Sequence, residues 1–95
     1  MKKEIISSNN APAAIGAYSQ AIKMDNLIFT SGQLPINPET NEMPETIKEQ
    51  TKQSLENISA ILKEANTSLD QAIKLTVFLA DINDFAEMND AYSDF

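Results

Sequence analysis

The sequence contains no cysteine, histidine or tryptophan, and its seven basic residues are all lysines, so arginine is absent as well. Without cysteine and histidine, the chain cannot form disulfides, thiol nucleophiles, histidine-based triads or zinc sites built on the usual nitrogen and sulfur ligands. Any catalysis must therefore rely on oxygen groups, lysines, backbone groups or water.

Long apolar runs are also missing, since none approaches the roughly 18 residues that a membrane-spanning helix needs. Only Ile5 and Ile6 follow the lysines at the N-terminus, which is too few apolar residues for a secretory signal. The chain has 95 residues, of which 42% are apolar and 22% are charged. We therefore expect a single globular domain over residues 1–95, located in the cytoplasm and not in a membrane.

Positive charge is scarce, because 14 acidic residues outnumber the lysines and give a formal net charge of −7. This charge repels the phosphates of nucleic acids, and the sequence has no basic stripe. Nucleic acid is therefore a poor candidate partner. The carboxylates are scattered over the exteriors of predicted helices, which indicates a solvated surface rather than an acid–base pair.

Glycine is rare, and both glycines lie in the stretch GAYSQAIKMDNLIFTSGQLP, residues 16–35. The alternation from Ala17 to Met24 predicts a half-buried strand. Asp25 and Asn26 then separate this strand from a second strand-like run, LIFTSGQL. Two residues that tolerate a positive φ, placed between two such runs, predict a hairpin of antiparallel strands.

Residues 35–44 hold three of the four prolines, which predicts a surface loop with Asn41 in a left-handed turn. Thr46 followed by Glu49 has the pattern of a capping box and predicts the start of a long helix. We expect one stripe of this helix to pack on the sheet. The stripe consists of Ile47, Thr51, Leu55, Ile58, Ile61, Leu62 and Ala65.

The run from Ile73 to Ala80 alternates, is rich in β-branched and apolar residues, and predicts a strand covered on both faces. Asp84 and Glu87 repeat the capping pattern and predict a second helix. Its apolar face is expected to consist of Phe85, Met88, Tyr92 and Phe95. No Gly, Pro or Asn closes this helical pattern at Phe95, so we expect the sequence to be a fragment of a longer chain.

These features occur in a fixed order along the chain. YSQAI and FTSGQLP lie on the hairpin, QTKQSLENISAILKEA on the long helix, KLTVFLADINDF on the last strand and FAEMNDAY on the second helix. This series resembles the RidA (YjgF) family over the whole length of the chain. The motifs of four elements, the hairpin, the long helix, the last strand and the second helix, occur in the right order and make the resemblance specific, whereas any one of them alone would not.

The resemblance implies an α+β fold of the RidA/chorismate-mutase-like type, with a mixed or antiparallel sheet covered on one face by two helices and truncated at the C-terminus. It implies a homotrimer with ligand clefts between neighbouring copies. The implied activity is the hydrolysis of reactive enamines and imines, such as 2-aminoacrylate and 2-iminobutanoate, to 2-oxo acids and ammonia. Such an enzyme takes a small substrate that bears a carboxylate and uses no metal or organic cofactor.

Carried over residue by residue, the resemblance implies substrate-binding roles for Tyr18, Ser31, Gly32 and Asn89. Tyr18 would form an aromatic wall, Ser31 and Gly32 a tight polar corner, and Asn89 a supporting amide. A glycine beside a ligand lets the backbone approach closely, which would leave an N–H group and the Ser31 hydroxyl free for polar substrate atoms. Structural roles are the alternatives: a core aromatic, a plain strand end and a solvated helix boundary.

In the family's pattern, two further strands follow the second helix and carry an arginine that holds the substrate carboxylate and a glutamate beside the catalytic water. This sequence has neither, so no catalytic residue is assigned to it, and a lysine does not reproduce the two-pronged grip of a guanidinium group. Two other functions stay open. One is a non-catalytic trimer that binds small carboxylates or regulates a partner, as the translation-inhibitor and ribonuclease labels of such proteins suggest. The other is a truncated subunit that only packs.

Overall fold

Three short strands form one antiparallel sheet in the computed structural model, which describes residues 2–95. The order in the sheet is β1, β2, β3, so each strand lies beside its neighbour in sequence. The strands are β1 (Lys3–Ile6), β2 (Ala21–Met24) and β3 (Leu27–Thr30), and the helices are α1 (Ile47–Glu64) and α2 (Phe85–Asp94). Single 3₁₀ turns at Leu69–Gln71 and Ile82–Asp84 flank the segment between the helices. The α+β architecture expected from the sequence is confirmed.

The hairpin turn at Asp25 and Asn26 is confirmed, because Asp25 has a φ of 54° and β2 pairs with β3 on either side of the turn. The predicted first strand was too long. β2 begins at Ala21, and the preceding residues belong to a loop in which the Tyr18 N–H donates a 3.0 Å hydrogen bond to the Gly16 carbonyl. A local turn of this kind removes the residue from the ladder, whatever its side-chain alternation.

β1 was not predicted from the sequence. It pairs with β2 in the register that places Ile6 opposite Ala21 and Ile5 opposite Ile22. Its only apolar residues are these two adjacent isoleucines, which are too few to show a period of two. The strand therefore depends on β2 as a pairing partner rather than on a local pattern.

α1 begins where the capping pattern placed it, since the Thr46 Oγ1 accepts a 3.1 Å hydrogen bond from the Glu49 N–H. The stripe predicted for this helix supplies most of its buried residues, and Ile61 is fully buried. The core between helix and sheet consists of Ile6, Ala11, Ala21, Ile61 and Ala65, with Ile28 and Ala60 packed against it. Burial of this apolar stripe against the sheet is therefore what fixes α1.

The two faces of the sheet differ in what covers them. Residues directly opposite one another in an antiparallel pair point to the same face. Ile6 and Ala21 thus share the face that packs on α1, whereas Ile5, Ile22 and Phe29 share the other one. On that outer sheet face, Ile5 and Phe29 are 66% and 61% exposed.

The strand predicted from Ile73 to Ala80 is wrong for the structure described here. This segment forms no ladder with the three strands, so the sheet is antiparallel and not mixed. Ile73 is 88% exposed and Phe78 is 93% exposed. The alternation of side chains is compatible with an extended backbone, but a strand also needs a partner for its N–H and C=O groups, and residues 2–95 provide none.

α2 lies against α1 and is the second helix expected from the sequence, although its N-terminal cap and its buried face differ from the prediction. Asp84 makes no side-chain cap, and Asp81 instead accepts a 2.9 Å hydrogen bond from the Asn83 N–H at the preceding turn. The buried residues of α2 are Met88 and Ala91. Phe85, Tyr92 and Phe95, which were predicted to share the apolar face with Met88, are exposed. No helix within the described residues is long and apolar enough to span a bilayer.

Candidate functional site

A polar corner, formed by Ser31 and Gly32, lies immediately after β3. The pairing of β2 with β3 continues one residue beyond the strand, because the Ser31 N–H donates a 2.9 Å hydrogen bond to the Gln20 carbonyl. The Ser31 Oγ donates a 2.6 Å hydrogen bond to the Ser19 carbonyl. The expectation of a free hydroxyl is therefore only half correct: its proton is used within the chain, and its lone pairs remain as acceptors.

Gly32 is exposed, and an added Cβ would meet no heavy atom within 4 Å. Its φ lies outside the left-handed region, which among the glycines is occupied only by Gly16. Neither crowding nor backbone conformation within residues 2–95 therefore requires a glycine at this position. Its N–H takes part in none of the hydrogen bonds among the described residues, so it offers an open donor beside the Ser31 acceptor.

Tyr18 lies at the end of the loop that enters β2. The loop turns at Gly16, where φ is 109°, and Tyr18 is followed directly by Ser19, the residue whose carbonyl binds the Ser31 hydroxyl. The Tyr18 side chain is 49% exposed, and its hydroxyl makes no hydrogen bond to any residue from 2 to 95. It is not a core aromatic of this chain. Tyr18 is therefore connected to the corner through Ser19, its neighbour in sequence.

Asn89 lies on α2, in a different surface region from the corner. It lines an apolar groove between α2 and the extended segment that precedes it. The other residues of the groove are Leu75, Val77, Phe78, Leu79, Ile82, Phe85, Met88 and Tyr92. None of these lining residues belongs to the corner. Ser31 and Gly32 therefore form the corner, and Tyr18 is linked to it through the chain. Asn89 lines a groove that includes none of these residues.

Two buried amides were missed as anchors of the loops beside the corner. Gln20 is 3% exposed, and its side chain binds the backbone of Ser8 and Pro12. Gln20 was not among the site residues predicted from the sequence. Its position directly before a strand was the one available signal, and nothing in the local pattern distinguishes a glutamine that points into a loop from one that faces water.

The second buried amide, Asn57 on α1, holds the loop that follows the corner. Its Nδ2 donates hydrogen bonds of 3.1 Å to the Leu34 carbonyl and 2.9 Å to the Ile36 carbonyl. Its Oδ1 accepts a 2.9 Å hydrogen bond from the Gln53 Nε2. Asn57 lies one helical turn before Ile61 of the predicted stripe, and this position is the signal that could have identified the contact, because a buried polar side chain needs partners.

The chemistry that the corner offers is hydrogen bonding. No group of three or more acidic side chains is placed to hold a metal ion anywhere in residues 2–95. The Gly32 N–H is a donor and the Ser31 Oγ is an acceptor, and the half-exposed Tyr18 directly precedes Ser19, whose carbonyl binds Ser31. Together they suit a small polar molecule that carries both acceptor and donor atoms.

Comparison with known proteins places this arrangement in a family. Residues 8–95 match the family model for Endoribonuclease L-PSP. A RutC family protein of Pyrococcus abyssi is 56% identical over 96 residues, which cover 100% of this chain and 76% of that protein. The 2-iminobutanoate/2-iminopropanoate deaminase of Escherichia coli is 47% identical over 90 residues, which cover 95% of this chain and 70% of the enzyme.

Solved structures agree with the sequence comparisons. The crystal structure of Escherichia coli TdcF with bound serine has a TM-score of 0.93 and 44% identity, and the match covers 96% of this chain and 72% of that one. Yeast Mmf1 has a TM-score of 0.93 and 40% identity, with coverage of 98% and 74%. The class defined by this fold is that of small α+β proteins in which an antiparallel sheet packs on a long helix. The chain belongs to the RidA (YjgF) family, as the resemblance in its motifs implied.

Proposed function

We propose that this chain belongs to a deaminase that hydrolyses small imines or enamines bearing a carboxylate, of the 2-aminoacrylate and 2-iminobutanoate type. The observation that carries the proposal is the open space at Gly32. The Gly32 N–H makes no hydrogen bond among the described residues, and no other atom fills the space where a side chain would be. The names of relatives support the same chemistry, since one is a 2-iminobutanoate/2-iminopropanoate deaminase.

The corner has a defined part in this reaction. The Gly32 N–H donates to an oxygen of the substrate carboxylate, and the Ser31 Oγ accepts a hydrogen bond from the imine N–H. Water adds to the imine carbon, the C–N bond breaks, and the products are a 2-oxo acid and ammonia. The Tyr18 ring covers one side of the substrate and limits its orientation. The reaction needs neither a metal ion nor an organic cofactor.

The active form in this proposal is a homotrimer, in which Asn89 of one copy reaches the corner of the next. The apolar outer sheet face supports an assembly, because Ile5, Ile22 and Phe29 form a cross-strand row with two large exposed members. Contiguous apolar surface of this kind marks an interaction site. Phe29→Glu should convert a trimer to monomers in analytical ultracentrifugation, and unchanged sedimentation of the variant would contradict this assembly.

The direct test of activity uses a pyridoxal-dependent dehydratase that releases 2-aminoacrylate from serine in the presence of semicarbazide, which traps the intermediate. Added protein should divert the intermediate from semicarbazide adduct to pyruvate. Ser31→Ala should weaken this effect, whereas Thr40→Ala, in an exposed loop, should leave it unchanged. If the proportion of trapped adduct is the same with and without the protein, the deaminase proposal is wrong.

The second candidate is a protein that binds small carboxylates without transforming them. Two observations favour it. None of Tyr18, Ser31 and Gly32 has a carboxylate or a basic side chain, and the structure of the relative TdcF holds serine. Saturable binding of serine in calorimetry, together with no effect in the trapping assay, would support this candidate. Affinity for RNA that falls steeply with salt would instead support the ribonuclease label of the family.

A further inference from the structure

Gln20 lies at the point where the loop before β2 is hydrogen-bonded to the corner. Its backbone carbonyl accepts the hydrogen bond from the Ser31 N–H, and the neighbouring Ser19 carbonyl accepts the one from the Ser31 Oγ. Tyr18 precedes these two carbonyls directly in the chain. Whatever holds residues 18–20 in place therefore also affects the positions of Ser31 and of the Tyr18 backbone.

The Gln20 side chain anchors the long loop between β1 and β2, which has no helix or strand of its own from residue 7 to residue 20. Its Oε1 accepts a hydrogen bond from the Ser8 N–H. Its Nε2 donates bonds of 3.1 Å to the Ser8 carbonyl and 2.7 Å to the Pro12 carbonyl. Both Nε2 protons and the oxygen are thus engaged with backbone groups at the far end of the loop.

A loop of this length with few regular hydrogen bonds needs fixed points to hold one conformation. Within it, Ala11 contributes to the core, and the local bond from Tyr18 to Gly16 forms only a turn. The three hydrogen bonds of Gln20 are the polar ties that connect the end of the loop to its beginning. Without them, the Tyr18 end of the loop would keep its backbone link to Ser31 but would have no polar tie to the beginning of the loop.

We propose that Gln20 is a positioning residue, which holds Tyr18 and the carbonyl pair of residues 19 and 20 in register with Ser31 and Gly32. It does so without contacting the bound molecule. Its importance for ligand binding rests on the function proposed above, but its effect on the geometry of the corner does not. The two parts can therefore be tested separately.

Three variants separate positioning from general stability. Gln20→Leu removes all three hydrogen bonds at similar volume. Gln20→Glu removes the donors while the new carboxylate is ionised, but a protonated carboxyl group restores one acceptor and one donor. Leu62→Ala, buried in α1 and without a side-chain hydrogen bond, serves as the control that lowers stability elsewhere.

Amide hydrogen exchange tests the geometry without any ligand. In Gln20→Leu, the Ser31 amide should lose about tenfold or more of its protection relative to the amides of the α1 interior. In Leu62→Ala, the ratio between these two sites should stay as in the wild type. Equal protection ratios in Gln20→Leu and the wild type would overturn the proposal, even if both variants fold well.

Serine binding, followed by the NMR shift of the Gly32 amide, tests the consequence for the site. Affinity should fall about tenfold in Gln20→Leu and stay within about twofold in Leu62→Ala. In Gln20→Glu, burial should raise the pKa of the new carboxyl group, so affinity should recover in part as the pH is lowered from about 8 to about 5.5, relative to the wild type over the same range. Unaltered affinity in Gln20→Leu would show that the anchor does not matter to the site. If the wild type does not bind serine but the exchange result holds, Gln20 still positions the corner and it is the proposed function that fails.

Discussion

The backbone N–H of Lys48 donates a 2.9 Å hydrogen bond to the Oε2 of Glu87, so a carboxylate of α2 occupies the N-terminus of α1. The sequence pattern had assigned Glu87 to the cap of its own helix. In the structure this side chain instead satisfies one of the N–H groups that the first turn of α1 leaves without a partner. A negative group at this end also interacts favourably with the helix dipole.

Replacing Glu87 should therefore destabilise the packing of the two helices rather than α2 alone. Glu87→Ala is expected to lower the free energy of unfolding by up to about 1 kcal/mol, through loss of the hydrogen bond and of the dipole interaction. Urea denaturation measures the change. Asp90→Ala, on the same helix but without such a bond, is the control and should have little effect. Equal effects of the two substitutions would mean that only the surface charge matters.

Asn57→Leu should lower the free energy of unfolding more than Glu87→Ala does, although it replaces a buried amide by an apolar side chain of similar size. The Leu34 and Ile36 carbonyls would each lose a donor, and we expect a loss of about 1–3 kcal/mol in the free energy of unfolding. The comparison is Gln53→Ala, which removes only the neighbour that donates to Asn57 and should cost less than about 1 kcal/mol. If Gln53→Ala lowers the free energy of unfolding more than Asn57→Leu does, the bonds to the Leu34 and Ile36 carbonyls are not the main contribution of Asn57 to stability.

Gly32→Val should separate binding from stability. Since a side chain at Gly32 meets open space, the melting temperature is expected to remain within a few degrees of the wild type. Binding of serine, followed by calorimetry, should be lost because the side chain occupies the approach to the N–H. Gly16→Ala is the opposite control: its φ of 109° strains any side chain, so it should lower stability. If Gly32→Val binds serine with unchanged affinity, the corner is not the site at which serine binds.

The segment from Ile73 to Ala80 should promote association, because it combines unpaired backbone groups with Phe78 almost completely exposed. Phe78→Lys is expected to reduce concentration-dependent light scattering and the binding of hydrophobic dyes. Thr76→Lys, which adds the same charge to an exposed residue of the segment, controls for charge alone. If both variants reduce scattering equally, exposure of the aromatic ring is not the cause.

The elements that the sequence predicted well are those whose signals are local. α1 has a capping residue, a helical period and an apolar stripe within one continuous run, and the turn at Asp25 needs only two residues that accept a positive φ. Both features follow from backbone conformation and nearest neighbours. The structure accordingly reproduces the start of the helix at Thr46 and the hairpin turn.

What the sequence did not reveal depends on partners distant in the chain. Ile5 and Ile6 become a strand only because β2 lies beside them, whereas the stronger pattern from Ile73 to Ala80 stays unpaired. In the same way, Gln20 finds its partners twelve and eight residues away, and no local rule distinguishes it from an exposed glutamine. At the corner, the type of residue could be inferred, but the direction of the Ser31 hydroxyl could not, because it is set by the Ser19 carbonyl.

The direction of the Ser31 hydroxyl affects how the protein would distinguish the imine substrate from the keto acid product. With its proton already committed to a carbonyl, the oxygen can attract an N–H group but cannot donate to a ketone. In the proposed reaction the nitrogen departs as ammonia, and the attraction at this point disappears with it. A serine fixed in this way would therefore favour release of the finished keto acid and keep product inhibition weak.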